Sequence, residues 1–106
     1  MRKKGLRDSV ATEAVLREGW LQKQSSGAFK QWQKRYFRLS GHYLTYYADE
    51  KTDEVKGACD LNTVTLCVHE ELSIRVIAPG QELLLRAALA EDAEKWQTSL
   101  LVVCGA

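Results

Sequence analysis

The chain has 106 residues, 45% hydrophobic and 27% charged, and no apolar run near the length of a membrane-spanning helix, so one globular domain is expected. The three cysteines (Cys59, Cys67 and Cys104) lie far apart without Cys/His ligand spacing, which argues against a disulfide framework or a zinc site and predicts reduced thiols, mostly in the core. We expect no metal and no cofactor. The net charge of +1 conceals an asymmetry between the two parts of the chain. Residues 1–40 carry ten Lys/Arg and three Asp/Glu, whereas residues 41–106 carry five Lys/Arg and eleven Asp/Glu. The amino-terminal part can therefore favour an anionic partner.

The first seventeen residues carry only weak structural signals. They begin with four cations, Arg2, Lys3, Lys4 and Arg7. The rest of this stretch suits a short helix or a short strand equally well. We therefore interpret residues 1–17 as a basic lead or tail and residues 18–106 as the folded domain.

From Glu18 onwards the sequence predicts about seven short strands with no helix between them. Alternating, β-rich segments are separated by turn signals, among them a Ser/Gly loop, a charged loop and the only proline. The predicted strands are residues 18–24, 31–41, 42–48, 55–61, 63–70, 73–78 and 82–88. Many short strands at this spacing are typical of an antiparallel sandwich or a partly open barrel.

The end of the chain predicts a single amphipathic helix over residues 91–104. Its apolar residues recur at the spacing of one helical face, at Ala93, Trp96, Leu100 and Val103. Carboxylates occupy the first turn, where the helix dipole favours anions, and Gly105 suits a C-cap. Such a helix must bury its apolar stripe against the sheet, at one open end of the barrel, with Trp96 inside.

The alternation of side chains assigns faces to the first predicted hairpin. On its first strand Leu21 and Lys23 share a face, and on its second strand the corresponding set is Gln33, Arg35, Phe37 and Leu39. Because Leu21 belongs in the core, Lys23 and Arg35 should point inwards near the hairpin loop, whereas Lys34 and Arg38 should be surface charge. An inward charge is costly unless it is paired or lies at an open rim. Spacing alone leaves two interpretations open, a phosphate-binding mouth and two cations that reach water or acidic partners, and it favours the second.

Four short patterns taken together resemble the pleckstrin homology (PH) domain. They are Gly-Trp-Leu-x-Lys at residues 19–23, Trp-x-x-Arg-Tyr-Phe-x-Leu at residues 32–39, Leu-x-Tyr-Tyr at residues 44–47 and the single tryptophan of the last helix. The resemblance covers residues 18–104. It implies two near-orthogonal antiparallel sheets, of four and three strands, capped by the helix. It also implies a cytoplasmic signalling module that binds phosphoinositide headgroups and recruits its parent protein to membranes as a peripheral component.

The resemblance implies a set of phosphoinositide-binding residues: Lys23, Lys30, Arg35, Tyr46, Lys56 and Asn62. Lys23 and Arg35 match the outer positions of a motif that places Lys on the first strand and Lys/Arg-x-Arg on the second. The middle position is Gln33, and a further basic position falls near residues 82–83, so two cations of the pattern are missing. Modest or promiscuous binding is therefore expected rather than tight selectivity.

The spacing of the first two strands is also similar to that of the amino-terminal domain of the Akt-type protein kinases, which would place a kinase domain in cis as a partner. The chain itself contains no kinase motif, and His42 and His69 lack a nucleophile that the sequence can pair with them. We therefore expect that this domain is not an enzyme.

Two other kinds of partner deserve comparison with lipid. Nucleic-acid binding would use cations interleaved with exposed aromatic residues; the composition of residues 29–39 fits, but their aromatic residues are expected to alternate into the core, so we predict no nucleic-acid partner. A protein-interaction module with the same overall fold, as in phosphotyrosine-binding and polyproline-binding domains, is the stronger alternative. One positive patch at the first hairpin would favour lipid, whereas an apolar groove between the helix and an exposed strand edge would favour a peptide.

Overall fold

The computed structural model describes residues 15–25 and 28–104 as seven antiparallel strands followed by one helix. The strands are β1 (Val15–Gln24), β2 (Trp32–Ser40), β3 (Tyr43–Tyr47), β4 (Val55–Asp60), β5 (Leu66–Glu70), β6 (Ser73–Ala78) and β7 (Gln81–Arg86), and the helix is α1 (Ala90–Cys104). A short 3₁₀ turn, Leu61–Thr63, joins β4 to β5. The predicted elements are confirmed, with boundaries displaced by up to three residues.

One displacement of three residues concerns the start of the domain. Strand β1 begins at Val15, inside the stretch interpreted as a lead, and its first pairs with β2 are Val15 with Ser40 and Arg17 with Leu39. The basic start of the chain and Gly105, the expected C-cap, lie outside the described residues.

All seven strands belong to one sheet with the order β4-β3-β2-β1-β7-β6-β5. The two sheets that the resemblance implied are its two halves, joined in the described chain through the pairs Gln22 with Arg86 and Lys23 with Leu85. Across the opposite corner of the sheet, the side-chain amide of Gln81 donates to the carbonyl of Ala58 over 3.4 Å. The fold is therefore a strongly bent antiparallel sheet, or partly open barrel, as expected.

The core lies between the concave face of this sheet, here called the inner face, and α1. The side chains that are almost completely buried include Phe37, Leu39, Leu44, Leu61, Ile74, Leu85 and Leu100. On the helix, Trp96 is only 3% exposed, as the helical spacing predicted. Burial of each such side chain contributes about 1.5–3 kcal/mol. The cysteines are free thiols, two of them buried and Cys104 half-buried.

The first hairpin shows both faces of the sheet clearly. Leu21 pairs with Arg35 and Lys23 with Gln33, so these residues share the inner face, in agreement with the face assignment. The expectation that the aromatic residues of residues 29–39 enter the core is wrong except for Phe37. Only every second residue of a strand can face the core, so Trp32 and Tyr36 lie on the outer, solvent-facing side of β2.

The two ends of the barrel differ in what covers them. Helix α1 packs against β5 and the 3₁₀ turn, at the end that carries the β2–β3 turn. The antiparallel pairing places the β1–β2 loop, the β3–β4 loop and the β6–β7 turn at the opposite end. We call this second end the open end. In the part of the chain that is described, no helix is long and apolar enough to cross a membrane.

Candidate anion-binding site

Three polar side chains form a row on the inner face beside the open end. Lys23 and Gln33 are direct cross-strand partners, and Arg35 follows on β2 opposite Leu21. All three are partly exposed, whereas Leu21 is buried. This inner row (Lys23, Gln33 and Arg35) therefore lies where the apolar core meets water, and an anion can reach it without entering the core.

The two cations of the inner row repel each other, and among the described residues no ion pair with a carboxylate offsets that repulsion. Burial lowers the pKa of Lys23, and the charge of Arg35 lowers it further. Neither side chain forms an ion pair with a carboxylate in the described chain. Their polar contacts are with main-chain carbonyls, of Gln24 at 3.4 Å from Lys23 Nζ and of Lys34 at 2.8 Å from Arg35 Nη1. An anion between the two charges would remove an unfavourable interaction.

Tyr46 of β3 adds a phenol group to this site. Its ring centroid lies 5.4 Å from Lys23 Nζ and 5.2 Å from the ring of Phe37. Burial raises the pKa of Tyr46, although the charge of Arg35 acts in the opposite direction. The hydroxyl is therefore protonated at neutral pH and can donate a hydrogen bond to an anion.

Glycine at position 57 allows Tyr46 to take this position. Tyr46 and Gly57 are cross-strand partners in β3 and β4. The ring of Tyr46 occupies the space that a Cβ atom at position 57 would need. The sequence contained a weak signal for this contact, because an isolated glycine inside a strand indicates a close approach of another group.

The other three residues of the predicted site are less close to the inner row. Lys30 is exposed in the β1–β2 loop, at the open end. Lys56 is exposed at an irregularity of the β3–β4 pairing, one residue before Gly57, and the alternation along β4 places it off the inner face. Its charge can therefore reach a ligand only from the side.

Asn62 lies at the other end of the barrel. Its main-chain N–H donates to Asp60 Oδ1 over 3.0 Å, and its side-chain nitrogen lies 3.2 Å from His42 Nδ1. Tyr43 pairs with Asp60, so the residues after β4 lie beside the β2–β3 turn. The structure thus brings together Lys23, Arg35 and Tyr46 and does not bring Asn62 to them.

Two further features lie at the open end, and the sequence did not associate either of them with the site. Phe29, in the β1–β2 loop, is 84% exposed. Opposite this loop, the β3–β4 loop carries four carboxylates: Asp49, Glu50, Asp53 and Glu54. Hydrogen bonds from Lys51 N–H to Asp49 and from Glu54 N–H to Thr52 hold this acidic loop in shape.

Comparison with known proteins finds relatives that are much longer than this chain. A diacylglycerol kinase eta from Mesocricetus auratus is 34% identical over 104 residues, which is 94% of this chain and 9% of that protein. The enzyme of the same name from Drosophila mojavensis is 38% identical over 93 residues, 82% of this chain and 5% of the enzyme. The chain thus spans less than a tenth of the length of these relatives. They are not protein kinases of the Akt type, the subgroup that the sequence suggested.

Solved structures agree on the fold. The solution structure of the PH domain of human pleckstrin homology domain-containing protein family A member 5 has a TM-score of 0.76 and 27% identity, over 87% of this chain and 78% of that chain. The carboxyl-terminal PH domain of pleckstrin, crystallised in complex with D-myo-Ins(1,2,3,5,6)P5, has a TM-score of 0.78 and 22% identity, over 87% and 97% of the two chains. The family profile described as "PH domain" matches residues 15–104, and the chain therefore belongs to the PH domain family.

Proposed function

We propose that this domain binds phosphoinositide headgroups and thereby recruits a larger cytoplasmic signalling protein to the surface of anionic membranes, without catalysis of its own. The observation that carries the proposal is the pair Lys23 and Arg35, two cations without an acidic partner among the described residues, beside the phenol of Tyr46. An Arg fork, a Lys ammonium and a hydroxyl donor suit a phosphate group. The pleckstrin domain crystallised with an inositol pentakisphosphate supports the same class of ligand.

The affinity should be modest. Gln33 stands on the inner face between two cations, where it can donate only a neutral hydrogen bond. Hydrogen bonds to charged groups contribute about 1.5–3 kcal/mol each. One missing cation therefore costs about tenfold or more in affinity. The acidic β3–β4 loop adds repulsion at the same end, which opposes binding of headgroups with many phosphates.

Phe29 and Lys30 fit the approach of the open end to a bilayer. An exposed aromatic ring costs little to transfer into the interface of a membrane, and an adjacent Lys can remain among the headgroups. With this orientation the anion-binding site opens towards the lipid, and α1 faces away from it.

The absence of catalysis is part of the proposal. Both histidines are engaged in local contacts, His42 with Asp60 Oδ1 at 3.1 Å and His69 with the carbonyl of Glu71 at 2.8 Å. Neither contact aligns a nucleophile with a base. A catalytic activity of the parent protein, including a kinase in cis, would belong to another domain.

The peptide-binding alternative has less support. A groove of about 360 Å³ follows α1, but it is lined by polar or charged residues, Arg17, Glu91, Glu94, Lys95, Thr98 and Ser99. On β5, the strand edge beside the helix, the side chain of Gln97 donates to the carbonyl of Cys67 over 3.3 Å. A peptide that added a strand there would have to break this bond, and the groove along α1 would offer it polar and charged side chains.

The proposal can be tested by nuclear magnetic resonance. The isotope-labelled domain is titrated with a panel of inositol phosphates, and the backbone amide signals are recorded at each step. We expect shifts at the inner row, Tyr46 and the β1–β2 loop, and none at Asn62. Vesicle binding should require anionic lipid and should weaken with salt, because exposed charges are screened beyond roughly 8 Å at physiological ionic strength. Equal binding to neutral vesicles, or binding that is independent of salt, would contradict the proposal.

A further inference from the structure

Ser25 follows strand β1 directly and continues its pairing with β2 at the open end. The main-chain N–H of Ser25 donates to the carbonyl of Gln31 over 2.7 Å, one position beyond the last register pair of the two strands. Side chains two positions apart on a strand share a face, so Ser25 has the parity of Lys23. Ser25 therefore extends the inner row by one position, towards the β1–β2 loop.

The hydroxyl group of Ser25 is held in place by two contacts within this loop. Its Oγ accepts a hydrogen bond from the main-chain N–H of Gln31 over 3.0 Å and donates one to the carbonyl of Phe29 over 3.3 Å. Gln31 and Phe29 are both exposed, and Ser25 itself is partly exposed. An enzyme that opens the longer of the two bonds can therefore reach the hydroxyl.

The first hairpin surrounds Ser25 with cations. Lys23 Nζ lies 3.4 Å from the carbonyl of the residue that precedes Ser25, and Lys30 is exposed in the same loop. The described residues 15–25 and 28–40 contain one carboxylate, Glu18, which is paired with Arg38 and lies seven positions before Ser25. A negative charge added at Ser25 would therefore be attracted to its neighbours on this hairpin.

A phosphate group on Ser25 would be a ligand for the inner row. Phosphoserine carries about −1.5 to −2 charges at neutral pH and three strong acceptor oxygens. Positions two apart on a strand are separated by about 7 Å, which the Lys23 side chain and a phosphoserine can span together. One oxygen can keep the hydrogen bond from the Gln31 N–H while another binds Lys23. The charge of Arg35, which already acts on Lys23, would add to the attraction.

We propose that Ser25 is a phosphorylation site and that its phosphate, bound to Lys23, displaces the phosphoinositide headgroup from the inner row. In the transfer, Ser25 Oγ forms a bond to the γ-phosphorus of ATP, and the bond from that phosphorus to the β–γ bridging oxygen breaks. ADP leaves, and the hydroxyl proton passes to the carboxylate base of a protein kinase. The displacement rests on the proposed function, whereas the contact between the phosphate and Lys23 does not.

A kinase assay tests the modification itself. Protein kinases distinguish substrates partly by charge pattern, and the cations beside Ser25 suit a kinase that selects basic neighbours. The domain is incubated with ATP and protein kinase C, and the phosphate is located by mass spectrometry. We expect phosphate on Ser25 and no incorporation into the Ser25→Ala variant. Phosphate on other residues alone, or no phosphate at all, would overturn the assignment.

A binding assay tests the displacement. Phosphoserine is encoded at position 25, and a control protein carries it on α1 in place of the exposed Thr98. Soluble inositol 1,4,5-trisphosphate should bind at least about tenfold more weakly to the first protein and less than about twofold more weakly to the control, because only the first loses charge-assisted contacts. Ser25→Gln keeps an acceptor for Gln31 without adding charge and should bind like the wild type. An equal loss in this variant would assign the effect to the shape of the loop and overturn the inference.

Phosphorus magnetic resonance measures the contact in the absence of any headgroup. Nearby cations favour the doubly charged phosphate and lower its second pKa. The double variant Lys23→Gln with Arg35→Gln should therefore raise the pKa of the phosphate at position 25 and leave that at position 98 unchanged. An unchanged pKa at position 25 would overturn the inference. If the unmodified domain bound no inositol phosphate while this pKa change was present, the proposed function would fail and the phosphate contact would stand.

Discussion

The ring of Tyr46 lies on Gly57, its cross-strand partner, and fills the space that any larger residue at position 57 would need. The same ring contacts Phe37 on one side and Lys23 on another. A residue without a side chain therefore controls the position of the phenol group beside the anion-binding site.

Gly57→Ala should lower the free energy of unfolding by about 1–3 kcal/mol, because the added methyl group must displace an aromatic ring. It should also weaken headgroup binding, since the Tyr46 hydroxyl moves with the ring. Urea unfolding and an inositol-phosphate titration measure the two effects. Gly19→Ala is the matched control, because a Cβ at that strand position meets no atom within 4 Å. Equal unfolding midpoints for the two variants would show that the contact between Tyr46 and Gly57 does not contribute to stability.

Arg35→Ala should reduce binding of soluble headgroups by one to two decades, because loss of its charge-assisted hydrogen bonds costs about 2–3 kcal/mol. Lys34→Ala should cost well under a decade in the same titration, since its side chain lies on the outer face. Circular dichroism checks that both variants fold. If the two substitutions were equally damaging to soluble headgroup binding, the inner row could not be the binding site.

Gln33→Arg should tighten headgroup binding by about tenfold, because it places a third cation between Lys23 and Arg35. The free domain should become less stable at the same time, since like charges are then crowded on one face. Isothermal titration and thermal unfolding together separate these opposite effects. Val102→Arg adds the same charge at an exposed position of α1 and should change neither quantity appreciably. Unchanged binding by the Gln33 variant would exclude position 33 from the ligand face.

Stability should fall above about pH 9 because of Cys67. Burial, with a smaller effect of the nearby Cys104, raises the pKa of Cys67 from its ordinary value of 9.0 to about 11. Between these values the unfolded chain loses a proton that the native protein keeps, so the free energy of unfolding decreases as pH rises. Below about pH 9 both states keep the proton, and the effect vanishes.

Urea unfolding of the reduced protein at several pH values between 8 and about 11 measures this dependence. The Cys67→Ala variant should be less stable than the wild type at every pH, because it leaves a cavity in the core beside β5. Its stability should nevertheless decline less steeply as the pH rises. Tyrosines and lysines titrate in both proteins, so only the difference between the slopes reports on Cys67. Parallel slopes would mean that another group causes the alkaline loss.

The contents of the inner face could be predicted from the sequence, but side-chain contacts between β1 and β7 could not. The alternation around Leu21 and Phe37 was enough to place Lys23 and Arg35 on the inner face, because that pattern is local to each strand. Arg86 reaches Gln22 across 64 positions of the chain, and nothing local indicates this pairing. The expectation that Trp32 alternates into the core was wrong, because Trp32 has the parity of Lys34 on β2 and not that of Phe37.

Asn62 also shows that the sequence does not predict contacts between distant residues, because here an expected contact is missing. Its position after a predicted strand made it similar to a binding residue of other domains, but the register of β3 and β4 carries it to the end of the barrel beside His42. The sequence by itself determined the strands, their two faces and the helix. These features follow from hydrophobic periods of two and 3.6 residues, which depend only on the backbone geometry of each element. Which side chains meet depends on strand register and on the bend between β1 and β7, so only the tertiary structure decided that Tyr46 joins Lys23 and that Asn62 does not.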